Sequence, residues 1–109
     1  MAKYLIEAAY SHEGLKGLVK DGGTARRAAV EAATKALGGH IESMYYAFGT
    51  SDVYLIVEVP DNVAAAAVAL AVGVTGALAH YKTTVLLTTD EVDQAAKKSA
   101  GVGYRAPGH

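Results

Sequence analysis

The chain has 109 residues, enough for one domain built round a single core. Hydrophobic residues make up 51% and charged residues 19%, and the formal net charge is -1, so no basic stripe is available to follow a phosphate backbone and nucleic acid is not an expected partner. With no cysteine there is neither a disulfide framework nor a thiolate metal site, and the amino terminus lacks the basic, apolar and cleavage regions of a signal peptide, so a soluble, cytoplasmic protein is expected.

Residues 3–10, KYLIEAAY, alternate as a strand, with Tyr4, Ile6, Ala8 and Tyr10 on one face and Leu5, Glu7 and Ala9 on the other. Ser11 caps a short helix carrying Leu15, Leu18 and Val19, which the DGG run at 21–23 interrupts. Thr24 is expected to cap a longer helix that stops at Gly38 and Gly39. Residues 40–48 and 53–59 form two strands joined by the short polar linker GTSD, a hairpin pattern. Pro60 has no N–H to give a ladder and ends the second of them, and Asp61 caps the helix that follows.

That helix, expected over 63–79 and loosened toward its end by Gly73 and Gly76, carries no charge. It is slightly short for a membrane span and is mostly Ala, Val and Gly, so a buried helix is expected and no membrane partner. A helix without a polar face needs cover besides its own sheet, most simply a second copy of the chain. Residues 80–88 form a fourth strand, residues 90–99 a short polar helix or turn, and residues 101–109 a tail outside a domain that ends near residue 100.

Strand, helix, strand, strand, helix, strand is two βαβ units. They pack as an α+β, ferredoxin-like sandwich: a four-stranded antiparallel sheet with both main helices on one face. The other face is left bare, yet both faces of residues 53–59 are largely apolar, with Val53, Leu55, Val57 and Val59 alternating against Tyr54, Ile56 and Glu58, so association of two sheets in the manner of a dimeric α/β barrel is expected, with a cavity between the copies.

The run ALGGHIESMYYAFGTSDVYLIVEVPD, followed by an Ala-rich helix, resembles the GYD domain family. In that family a Gly-Gly pair, an aromatic strand, a Gly-x-Tyr-Asp turn and a Glu-Ala-Pro-Asp strand end occur in this order. The likeness extends over about residues 3–88 and is most specific in its middle third. It implies a ferredoxin-like homo-oligomer and names no activity. Ser51 stands where the family has its tyrosine, with Gly49 and Asp52 kept, and GALAHYKTT departs from the family's Asn-Val-Arg-Thr-Glu-Thr run.

Several residues are candidates for chemistry. Asp52 either accepts backbone N–H groups of its own turn or, pointing away from that turn, serves as an acid, base or ligand at the mouth of a pocket. Glu58 interrupts an apolar strand and needs a partner, for which His40, His80, Lys82 or a tyrosine are candidates. Such a pair is a structural ion pair or, facing a cavity, a proton carrier, and Glu58, Asp52 and His80 are the catalytic candidates. Seven tyrosines against one phenylalanine and no tryptophan suit strands by propensity, and equally an aromatic cavity with hydroxyls to orient a ligand. Tyr46, Tyr54, Tyr81 and His40 are the candidate ligand contacts.

Arg26 and Arg27 stand at a helix start beside two glycines, a weak candidate for anion binding without a phosphate-loop motif. His12, His40, His80 and His109 have no metal-ligand spacing, and neither a metal nor another cofactor is expected. The leading functional expectation is a homo-oligomer that binds a small, partly apolar ligand between sheet faces or subunits. A cofactor-independent enzyme, of isomerase, decarboxylase or oxygenase type, and a purely structural assembly subunit are the alternatives.

Overall fold

The computed structural model describes residues 1–109. The elements are β1 (Ala2–Tyr10), α1 (His12–Asp21), α2 (Gly23–Ala36), β2 (His40–Tyr46), β3 (Val53–Val59), α3 (Asn62–Gly73), β4 (Leu78–Leu86) and α4 (Thr89–Ser99). All strands are antiparallel, in the order β2-β3-β1-β4, which is the ferredoxin-like arrangement.

The alternation in β1 and β3 decides which side of the sheet is covered. Tyr4, Ile6, Ala8, Val53, Leu55, Val57 and Val59 are buried, while their neighbours in sequence are only partly so. α2 lies against β2, and α3 lies against β3 and β4. The Tyr4 hydroxyl donates to Asn62 Oδ1 at 2.5 Å, and the Ile41 N–H donates to Glu31 Oε2 at 3.0 Å, so each main helix is tied to the sheet by a polar contact as well as by packing.

Three boundaries differ from the sequence expectation. The cap of α2 is Gly22, not Thr24: its φ of 84° turns the chain out of α1, and the helix has begun before Thr24 is reached. α3 stops at Gly73 instead of running to residue 79. Gly76, with φ of 75°, reverses the chain, and β4 starts at Leu78. The link between β2 and β3 spans Ala47 to Asp52, closed by the Ala47 N–H to the Asp52 carbonyl at 2.8 Å, and is longer than GTSD alone.

The early end of α3 has a tertiary cause. Ser11 caps α1 by accepting the Gly14 N–H at 3.1 Å, and its own hydroxyl donates to the Gly76 carbonyl at 2.7 Å. Its backbone N–H donates to the Ala77 carbonyl at 2.8 Å. One residue therefore fixes the start of α1 and the turn before β4 together. Beyond the sheet, every residue from Leu87 to His109 is exposed, and α4 is held by a capping box in which Thr88 Oγ1 accepts the Glu91 N–H and Glu91 accepts the Thr88 N–H. This arm explains a radius of gyration of 17.2 Å, against about 13 Å for a compact domain of this size.

Gly14 and Gly17 separate close packing from open surface within one helix. A methyl group at Gly14 collides with the Ala77 carbonyl, whereas one at Gly17 meets nothing within 4 Å. Gly14→Ala is expected to lower the unfolding free energy by about 2 kcal/mol or more, and Gly17→Ala to raise it by about 0.5–1 kcal/mol. Denaturant titration of both variants checks the pair, and equal effects would refute the close approach.

Candidate functional site

The covered side of the sheet is not filled. Between α2, α3 and the strands lies a chamber of about 180 Å³, partly open to solvent at Ala71 and Thr75, and 14 of its 16 lining residues are hydrophobic. Val30 and Ala33 come from α2, Val68 and Val72 from α3, and Met44 and Leu55 from the sheet. The cause is volume: Ala8 in β1, Ala33 in α2 and Ala71 in α3 each bring a single methyl group to the wall. A closed apolar cavity of about 150 Å³ admits benzene, so a space of this volume has room for one ring with a short substituent.

At one end the chamber opens on a polar vestibule. Tyr10, Arg26, Thr75 and Ala77 line both spaces, while Glu13 and Asp21 line only the vestibule. Arg26 is the one charged residue of the chamber wall. Its only ionic neighbour is Asp21, with Nη1 to Oδ2 at 3.9 Å, too long for a strong bond. Glu13 lies 3.7 Å from Lys16.

The tyrosines divide between this space and the opposite face. Tyr46 closes β2 on the helix side, where its hydroxyl donates to the Gly23 carbonyl at 2.9 Å and its ring lies under Gly23. Burial raises the Tyr10 phenol above its ordinary pKa of 10.0, neighbouring Tyr46 adds to the rise, and Arg26 opposes it. Tyr81 also lines the chamber, and burial raises its pKa too, with Thr83 offsetting part of the rise. Thr83 approaches the Tyr81 hydroxyl without completing a hydrogen bond, leaving that oxygen buried and unpartnered.

The other candidates lie elsewhere. Glu58, His40 and Tyr54 sit on the bare face. Glu58 Oε2 is 2.7 Å from His40 Nε2, and Glu58 Oε1 is 3.8 Å from Lys3 Nζ. Lys3 also meets Glu42 Oε2 at 2.8 Å, the main reason that the Lys3 pKa is raised from 10.5. Lys82 instead approaches Glu7, at 3.8 Å. His80 Nε2 is 3.5 Å from the hydroxyl of buried Ser51.

Asp52 points away from its own turn. Its Oδ2 accepts the Tyr10 N–H at 2.9 Å and so joins the β2–β3 link to the end of β1. Arg27 is exposed, unlike Arg26, and no group of three His, Asp or Glu side chains is arranged to hold a metal. No helix is long and apolar enough to cross a membrane. The structure thus brings Tyr46, Tyr81 and Arg26 to one side of the sheet, and Glu58, His40 and Tyr54 to the other. Tyr10 is the site residue that sequence reasoning passed over, although its place at the end of the inward alternation of β1 was the available signal.

A family model described as GYD domain matches residues 4–96. No curated protein matches the chain.

The raised tyrosine pKa values carry a sign for stability. A phenol whose folded pKa exceeds its unfolded value contributes stability that is present below about pH 10 and lost as pH rises through the folded pKa. Tyr81→Phe removes one such group and an unpartnered buried hydroxyl. It is expected to leave stability at pH 7 unchanged or raised by about 1 kcal/mol and to flatten the decline above pH 10. Denaturant titrations at pH 7 and pH 10.5 measure both, and a steeper alkaline decline in the variant would contradict the assignment.

Proposed function

The chain belongs to the GYD domain family, and on that premise we propose that it is a binding protein for a small, mostly apolar molecule held in the chamber between α2, α3 and the sheet. The observation that carries this reading is an apolar space of about 180 Å³ beneath two otherwise well-formed helices. Apolar side chains along a space that the two helices leave partly open to solvent forgo dispersion contacts and burial that an occupant restores. Binding sites of small molecules are typically apolar with a few polar groups at defined places, and here those groups are Tyr10, Arg26 and Thr75 at the mouth. The cavity expected between subunits lies on the other side of the sheet, and the present reading assigns the ligand to the covered side.

The test is to fill the chamber. Ala33→Phe and Val72→Phe each place a ring where the occupant is expected. Binding of toluene to the intact chain, followed by ligand-observed NMR, is expected to weaken at least tenfold in both variants. Retained binding in both, with the fold intact by circular dichroism, refutes the reading.

Self-association is supported by a separate observation on the bare face. Tyr45 is 73% exposed there, and Tyr54, Ile56, Leu5 and Leu86 are half-covered on the same face. Lys3, Glu7, Glu58 and Lys82 alternate in sign across the same surface. A second copy related by a twofold axis can set opposite charges against each other while the apolar residues meet. Native mass spectrometry at micromolar concentration is expected to show a dimer in the intact chain and a monomer in Ile56→Lys. A monomeric intact chain removes this part of the proposal.

A further inference from the structure

The chamber wall contains one charge, and its position narrows the class of occupant. Arg26 lines both the chamber and the vestibule, with Tyr10, Thr75 and Ala77, so a molecule that fills the apolar space and reaches the mouth comes within the field of the guanidinium. The acids lie farther out: Glu13 and Asp21 belong to the vestibule alone. We infer, on the reading that the chamber is a binding site, that the ligand is a small monocarboxylate with an apolar or aromatic body, its carboxylate against Arg26 and its body among Val30, Met44, Leu55, Val68 and Val72.

Three features of the mouth support this choice. A guanidinium presents a planar fork of donors that matches a carboxylate in two parallel hydrogen bonds, and no carboxylate of the chain occupies that fork closely, since Asp21 stands at 3.9 Å. The Tyr10 hydroxyl lies beside Arg26 and, as a phenol, is a neutral hydrogen-bond donor at neutral pH. The first turn of α2 contains no acidic residue, so the positive end of its dipole adds to the field at Arg26 instead of being cancelled within the helix.

The same surroundings set an upper limit on charge. Glu13 and Asp21 repel any anion, a dianion about twice as strongly as a monoanion, and there is one arginine to offset them, so a monoanion is favoured over a phosphate monoester. The amine of an apolar base finds no carboxylate in the chamber wall, where the one charge is that of Arg26. Chamber volume limits the body to about one ring and a short chain.

Phenylacetate and phenylacetamide differ in charge while sharing ring and length, and toluene reports the chamber without a polar group. Isothermal titration of the intact chain at pH 7 is expected to show phenylacetate bound about fivefold or more tightly than phenylacetamide. In Arg26→Gln the ratio is expected to fall to about one, and in Asp21→Asn, where the competing carboxylate is gone, to rise about two- to threefold. The ratio cancels general changes in packing, which move both probes together. If toluene binds while phenylacetamide matches or exceeds phenylacetate, the carboxylate inference is overturned and the chamber reading stands. If none of the three binds, both are overturned.

Discussion

The sheet has to bury one face under helices that bring little volume to the contact, and most of what distinguishes this chain follows from that mismatch. β1 and β3 present Tyr4, Ile6, Leu55, Val57 and Val59 inward, a face as demanding as that of any small core. α2 and α3 answer it largely with alanine and valine. Over Val57 and Val59 the fit is complete, and both are fully buried. Between the helices, where Ala8, Ala33 and Ala71 line the space with single methyl groups and Ala71 is exposed, the chamber remains. Larger residues there would restore apolar burial at about 25 cal/mol per Å², so the chain forgoes stability that its own composition of apolar residues could supply.

The turn at Gly76 and Ala77 keeps that space open at a defined mouth. Ser11 bonds to both residues and caps α1 at the same time, so α1, which leads into α2 through Gly22, is positioned from the far end of the sheet. Arg26 therefore owes its place at the mouth to a hydroxyl fifteen residues earlier, and Tyr10 owes its place to the Asp52 carboxylate that accepts its N–H. Tyr46, whose hydroxyl holds the Gly23 carbonyl, fixes the start of α2 from the other side. These contacts act on the mouth from three separate elements.

How much of this was legible in the sequence depends on the range of the interaction. The alternation in residues 3–10 and 53–59 gave the strands and the buried face, because a period of two needs no tertiary information. Asp61 was legible as a cap for the same reason, and its Oδ1 accepts the Ala64 N–H at 2.9 Å. The end of α3 was not, because it is set by Gly76 and by Ser11, a residue far away in the chain. Partners of Glu58 were half legible: His40 lies opposite it in the next strand. His80 and Lys82 share its face, but the order β2-β3-β1-β4 places β1 between them and β3. The chamber could not be read at all. It depends on which alanines face one another across two helices and a strand, and periodicity shows that a residue points inward without showing what it meets.

The same geometry bears on whether the site binds or reacts. General base catalysis needs a group that can take a proton within hydrogen-bond reach of the ligand. The chamber wall has no carboxylate and no imidazole; its titratable groups are Arg26, which stays charged, and the phenols of Tyr10 and Tyr81, which are protonated at neutral pH and whose pKa burial raises further. These can donate hydrogen bonds but not accept a proton. The pair with the chemistry to do so, His40 and Glu58 at 2.7 Å, stands on the opposite face of the sheet, where its other neighbour is Lys3. A molecule in the chamber is separated from that pair by the backbone of β3 itself, so proton transfer between them has no path within one chain. The chamber supplies shape, an apolar surface and one fixed positive charge.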